Sequence, residues 1–254
     1  MKTHWRVVLL ISIIFCFAAC TSTSLEVRKK QAEAGRFLGE AYLQQGNSTL
    51  ALREFLKAQE LYGNDKFLHD DLGLTYMAKD RPDLAIEHFK KALEIDPGFS
   101  PAKNNLGTAY MQKKDWDTAI KYFKEVAQDL IYATPQFPLS NLGWAYYNKG
   151  EYELALKYYH EALEMNSLFL NALRGLGITY IAMGKGPEAV EMLEISVKHY
   201  PQIAQLYFDL GEAYTLSRNY EKALNAFQKV LVLVPNTPLA RKAKIESQKI
   251  MHFQ

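Results

Sequence analysis

Along the chain, apolar and small residues return in a fixed order at an almost constant interval. Leu-Gly, with Tyr three residues after the Gly, stands at Leu38-Gly39/Tyr42, Leu72-Gly73/Tyr76, Leu106-Gly107/Tyr110, Leu142-Gly143/Tyr146, Leu176-Gly177/Tyr180 and Leu210-Gly211/Tyr214. The steps are 34, 34, 36, 34 and 34 residues. Nine residues after each Tyr comes an alanine (Ala51, Ala85, Ala119, Ala155, Ala189, Ala223). Four further on stands Phe55, Phe89, Phe123, Tyr159, Leu193 or Phe227. Leu and Tyr four apart share one helical face. Gly and Ala remove bulk where a second helix comes closest, and the large side chain on that helix fills the remaining volume. Gly within a helix costs about 1 kcal/mol relative to Ala, so its use in every unit implies a packing need. These residues are therefore core, not a site.

Helix, turn, helix at this period is the tetratricopeptide (TPR) pattern. The expected fold class is all-α: a tetratricopeptide-repeat superhelix of six helix-turn-helix repeats plus a C-terminal capping helix. The repeats are placed at 32–65, 66–99, 100–135, 136–169, 170–203 and 204–237. Repeat three carries two extra residues around Tyr132-Ala133-Thr134-Pro135, where a hinge between two halves is expected. Residues 238–254 read as the solvating cap a solenoid requires. Residues 20–31 read as a lipidated Cys and polar tether, its last eleven residues spanning roughly 36–40 Å if extended.

The first nineteen residues differ from the rest. Lys2, His4 and Arg6 precede Val7–Phe17, an uncharged apolar run too short to span a bilayer and suited to a signal peptide. Phe17-Ala18-Ala19-Cys20 resembles the lipobox of bacterial lipoproteins, with Phe17 in place of the usual Leu. Residues 1–19 are thus a lipoprotein signal peptide and Cys20 the lipidation site, carrying covalent diacylglycerol and an N-acyl chain such as palmitate. Ordinary secretion or an uncleaved anchor is the alternative. Cys16 and Cys20 are the only cysteines, so cleavage before Cys20 leaves no disulfide to brace the domain. Removing Lys2 and Arg6 with the signal leaves 28 basic against 28 acidic residues, which argues against nucleic acid as a partner.

Little in the sequence suggests chemistry. His69, His88, His160 and His199 show no metal-ligand spacing, and Gly175-Leu176-Gly177 follows no strand, so its first Gly reads as a chance addition to the repeat. No metal site, no cofactor beyond the covalent lipid and no enzyme activity are expected. Surface remains. Positions 2, 5, 9 and 12 of each repeat form one stripe of the first helix, facing the inner groove. Its apolar members are Phe67, Leu74, Met77, Met111, Phe137, Trp144, Tyr147, Ile178, Ile181 and Phe208. Exposed apolar surface marks binding sites, and Trp and Tyr are favoured anchors. These ten are the candidate partner-binding residues, with mutual burial in a tightly wound superhelix as the alternative. A chaperone carboxylate clamp is excluded, since Asp70 and Leu74, or Asn104 and Thr108, occupy the positions that need Lys and Asn.

The whole assembly resembles a known family. A lipoprotein signal, a short tether, six repeats, and Tyr132-x-Thr134-Pro135 followed by Asn141–Leu156 (NLGWAYYNKGEYELAL) are similar to the type IV pilus biogenesis and stability lipoproteins, the PilF/PilW/Tgl-type secretin pilotins. That resemblance implies an outer-membrane, periplasm-facing, lipid-anchored protein. It further implies that the protein binds the pilus secretin through its groove and promotes the secretin's localisation and multimerisation. Thr21 after the lipidated Cys is consistent with outer-membrane sorting. Other envelope proteins remain as partners: the chain could be a different TPR lipoprotein adaptor, in barrel assembly or as a scaffold for an envelope protease or cell-wall enzymes.

Overall fold

The computed structural model describes residues 24–252, and all regular structure among them is helical. Thirteen helices follow in antiparallel pairs: α1 (24–44) with α2 (Ser48–Leu61), α3 (Lys66–Ala78) with α4 (Pro82–Ile95), and α5 (Ser100–Gln112) before α6 (Trp116–Ala127). Then come α7 (Gln136–Lys149) with α8 (Tyr152–Met165), α9 (Leu170–Ala182) with α10 (Gly186–His199), α11 (Ala204–Leu216) with α12 (Tyr220–Leu233), and α13 (Pro238–His252). The expected signal peptide (residues 1–19) and Cys20 lie outside the described residues. None of the described helices is long and apolar enough to cross a membrane.

The turns inside the repeats share one backbone device. The same position of each repeat adopts a left-handed conformation: Gly46, Asp80, Lys114, Gly150, Gly184 and Arg218, with φ between 55° and 78°. The next residue's N–H then reaches back to the carbonyl of the repeat's tyrosine, as in Asn47 to Tyr42 (2.9 Å), Arg81 to Tyr76 (2.9 Å), Glu151 to Tyr146 (3.0 Å), Lys185 to Tyr180 (2.9 Å) and Asn219 to Tyr214 (2.8 Å). This is a helix C-cap that satisfies carbonyls otherwise left without partners. Asn47, Asp115 and Asn219 then accept from a backbone N–H of the following helix and cap its start.

The residues read as core are core except Leu38, which is 46% exposed, and Tyr42, Tyr76, Tyr110 and Tyr180, which are half-buried. A Cβ added to Gly39 would stand 2.4 Å from the Phe55 ring, at Gly73 2.3 Å from Phe89, at Gly143 2.6 Å from Tyr159, at Gly177 2.5 Å from Leu193 and at Gly211 2.5 Å from Phe227. No side chain fits in those gaps. Gly175 belongs with them and is no chance addition: its Cβ would lie 2.3 Å from Tyr159, which is thus held between the glycines of two successive first helices.

The chain divides into two compact units, Met1–Lys113 and Lys114–Gln254. The division falls inside repeat three, before α6, and not at the two-residue insertion, where a hinge was expected. The insertion instead forms the turn between α6 and α7, and Leu130 and Ile131 at its tip are almost wholly exposed. In the first unit, α1 covers residues 24–44, so most of the expected extended tether is helical. Ala32 is buried, the Lys29 ammonium lies 5.0 Å from the centre of the Tyr62 ring and Arg28 donates to the Glu60 carbonyl (3.4 Å). At about 1.5 Å rise per residue, helical residues give less than half the reach of an extended tether. In the second unit, α13 buries Ala240, Ala243 and Ile250 and turns Arg241, Lys242 and Lys244 to solvent. Ala243 and Ile250 join the core of α10, α11 and α12.

Candidate functional site

All ten candidate residues lie on first helices of pairs, but they fall in both units. Phe67, Leu74 and Met77 (α3) and Met111 (α5) belong to the first; Phe137, Trp144, Tyr147 (α7), Ile178, Ile181 (α9) and Phe208 (α11) to the second.

In the first unit Phe67 is 48% and Leu74 36% exposed, with Met77 and Met111 half-buried. Phe67 meets Phe99 edge to face at 5.2 Å, and the Arg36 guanidinium (5.4 Å) and Lys66 ammonium (5.1 Å) lie over its ring. Arg36 pairs with Glu40, Asp65 (3.6 Å) and Asp71 (3.5 Å). One cation thus faces three carboxylates. Burial, and then the Glu40 charge, push the Asp71 carboxyl up to about 8. Of the position-5 residues, Asp70 and Ser140 are buried instead of facing the groove, because the following repeat's first helix packs over that position. Asp70 accepts two hydrogen bonds from Asn105 Nδ2 (3.0 and 3.2 Å), and its burial raises its carboxyl to about 6.

His69 and His88, which the sequence left apart, meet across α3 and α4 with Nδ1 to Nδ1 at 3.1 Å, both buried. His69 Nε2 stands 2.9 Å from the Gly63 carbonyl, which can only accept, so that nitrogen carries a proton. His69 Nδ1 is then bare and accepts from His88 Nδ1–H, and the geometry fixes both tautomers. Burial, followed by the charge of His69, lowers His88 to about 4. No group of three or more His, Cys, Asp or Glu able to hold a metal ion occurs among the described residues.

The second unit carries a cavity of about 240 Å³ lined by Ser140, Asn141, Trp144, Tyr159, Asn171, Arg174, Gly175 and Ile178. Four factors build it. The Leu-Gly turn of α7 sets Trp144 on the open side of the helix. Trp144 stacks on Tyr147, with ring centres 5.4 Å apart and planes 18° from parallel, and Tyr147 leans on Tyr152 at 5.8 Å. Gly175, lacking a side chain, leaves Tyr159 exposed to the cavity as part of its lining. Ile178 lies one turn above Arg174 and closes the apolar side. At the polar side, Arg174 Nε donates to Asp209 Oδ2 (2.6 Å), whose Oδ1 accepts from Gln205 (2.7 Å). Asp209 is 3% exposed, so its charge is spent on Arg174. Glu212, one turn further along α11, keeps an exposed side chain, yet partial desolvation and then the charges of Asp209 and Glu246 push its carboxyl up to about 7. Tyr147 is raised by burial and then by the neighbouring Tyr152.

Of the other second-unit candidates, Phe137 is 43% exposed and meets Phe169 edge to face at 5.0 Å. Ile181 and Phe208 are partly buried against the core of this unit, Phe208 lying 5.6 Å from the Phe227 ring. Both are half-buried, Phe208 because Phe227 of α12 lies beneath it. Trp144, Tyr147 and Ile178 are therefore the candidates that gather. Asn171 and Arg174 complete that site as polar members of the same stripe, outside the ten apolar candidates.

An all-helical array of this repeat, cap and glycine–aromatic geometry defines a tetratricopeptide-repeat protein. Three tetratricopeptide-repeat family models match, at residues 76–130, 138–167 and 174–238. The fold is similar to that of PilF of Pseudomonas aeruginosa (21% identical, TM-score 0.73, 86% of this chain and 99% of that one). It is also similar to that of PilW, described as a widely conserved type IV pilus biogenesis factor (18% identical, TM-score 0.78, 83% and 97%). A third likeness is YrrB, a TPR protein with an unusual peptide-binding site (24% identical, TM-score 0.55, 75% and 97%). In sequence, 66 residues are 37% identical to the chloroplastic TPR protein PYG7 of Arabidopsis thaliana, a match spanning 26% of this chain and 22% of that protein. At these identities the structural likenesses speak to the fold. Tetratricopeptide arrays typically serve as protein-interaction scaffolds.

Proposed function

We propose that this protein is an outer-membrane lipoprotein, anchored through lipid on Cys20, that binds the type IV pilus secretin through its second unit and promotes the secretin's localisation and multimerisation. The observation that carries the binding reading is the stacked Trp144–Tyr147 pair beside an open cavity. Two large aromatic side chains stay accessible where folding does not require them. The pilus assignment is supported by the sequence resemblance and by the similarity of fold to PilF and PilW. The catalytic reading has no support, for the cavity holds no paired nucleophile and base.

The test is the ratio of multimeric to monomeric secretin at equal lipoprotein levels. Truncating a buried aromatic anchor costs 2 kcal/mol or more, so Trp144→Ala with Tyr147→Ala should lower affinity by well over about tenfold and reduce that ratio. Cys20→Ser should abolish palmitate labelling and leave monomeric secretin in the wrong membrane. A ratio unchanged in both variants removes the pilus assignment and leaves a generic envelope adaptor.

A further inference from the structure

Resting on that groove reading, we infer that the cavity of the second unit seats an acidic side chain, Asp or Glu, of the partner's bound segment, its carboxylate held by Arg174 and the Tyr159 hydroxyl. The wall offers hydrogen-bond donors that the chain itself does not use. Arg174 spends its Nε–H on Asp209, and its four terminal N–H groups have no partner among the described residues. Tyr159 is 1% exposed, yet its hydroxyl has no hydrogen-bond partner among the described residues either. The Asn171 side-chain amide at the same wall is likewise unpaired. A covered polar group without a partner is costly, so a site with several of them is built for an acceptor. The described wall holds no carboxylate, and Trp144 and Ile178 give it an apolar side for the methylene stem.

Repeat one fills the equivalent place from within the chain. Arg36 and Arg174 both stand at position 5 of their repeats, and each meets an aspartate 35 residues on, Asp71 and Asp209. Arg36 also holds Glu40, at position 9, and Asp65, the last residue of its repeat. Repeat five has Ile178 and Ile203 at those two positions. An arginine set in this way thus takes more than one carboxylate, and around Arg174 the chain supplies only Asp209. The cavity opens beside Ile178, where repeat one has Glu40. Asp209 does not cancel the attraction, because a carboxylate on the terminal nitrogens stands nearer the cation than Asp209 does to that carboxylate. A basic ligand would meet Arg174 with like charge. An apolar one would cover the Tyr159 hydroxyl and the Arg174 N–H groups without an acceptor. A neutral amide accepts with about half the strength of a charge-assisted pair.

The test uses the full-length lipidated chain in detergent and a phage library of random heptapeptides fused at their carboxyl ends, so that no free terminal carboxylate is offered. Selected peptides should share an Asp or Glu at one position. The best of them, acetylated and amidated, should bind at least about tenfold more weakly when that residue becomes Asn or Gln. Tyr159→Phe deletes only a hydroxyl that no residue uses, so it should keep the melting temperature while binding the acidic peptide about tenfold more weakly. Ile178→Glu puts a carboxylate where repeat one has Glu40 and should remove the preference of acid over amide. No selected peptide, selected peptides without a shared acidic residue, undiminished binding by Tyr159→Phe, or an acid preference that survives Ile178→Glu overturns the inference. The secretin ratio of the Trp144→Ala, Tyr147→Ala variant separates the two failures. A lowered ratio without acid preference removes the acidic side chain alone, and an unchanged ratio removes the groove reading as well.

Discussion

The His69–His88 pair makes the first unit's stability depend on acid in a way one substitution can isolate. His88 is 7% exposed and its only recorded polar partner is His69, so a proton placed on it is costly. Its folded value of about 4 lies below the ordinary 6.5. A histidine depressed in this way contributes stability that is fully present above the unfolded value and lost as pH falls toward the folded one. Between pH 7 and pH 4.5 the loss is about 2.5 kcal/mol from this residue. Asp70 and Asp71 act with the opposite sign: their carboxyls are raised, so the fold prefers them protonated and gains from acid. The parent's net pH dependence therefore mixes both effects, and the informative quantity is a difference. His88→Asn cannot titrate, and its amide can still donate to His69 Nδ1. Urea unfolding at both pH values, followed by amide exchange in α3 and α4, should show the variant weaker at pH 7. Its stability change between pH 7 and pH 4.5 should differ from the parent's by about 2.5 kcal/mol, in the direction of less acid loss. Identical pH dependence in parent and variant would refute the argument and mean that the pair opens to water in solution.

Two further outcomes are expected. Gly175→Ala pushes a Cβ to 2.3 Å from Tyr159 and should lower the melting temperature by about 3–10 °C, from about 1–3 kcal/mol of overpacking, with Tyr159→Leu in the same chain recovering part of it. A Gly175→Ala chain as stable as the parent would show that α8 and α9 can move apart. Ending the chain after Pro235 removes the cover that Ala243 and Ile250 give the core of α10, α11 and α12, so aggregation on size-exclusion chromatography should increase. Unchanged solubility would remove the capping role of α13.

The helix pairs, their glycine–aromatic contacts and the capping helix were legible in the sequence, because each repeat writes them with the same residues at the same spacing. Local periodicity determines them, and no distant contact competes. The intrahelical stripe also correctly placed Trp144, Tyr147 and Ile178 on first helices. What periodicity cannot express is a relation between neighbouring repeats. Gly175 looked accidental because its reason, the Tyr159 ring, lies one repeat back. Position 5 looked exposed because the helix that covers it belongs to the next repeat, as with Asp70 under Asn105. Ile181 and Phe208 looked like groove and pack against the core of the last repeats. His69 and His88 had no spacing to betray them, being brought together by the angle at which α3 and α4 pack. Charge followed the same rule. Composition gave an almost neutral chain, whereas pairing between repeats decides which charges are spent, as where Arg174 is matched by Asp209. Sequence by itself determined the helices and their core, since those rest on short-range spacing. Only the tertiary structure decided which side chains stay open and which charges remain, since both depend on what the adjacent repeat covers.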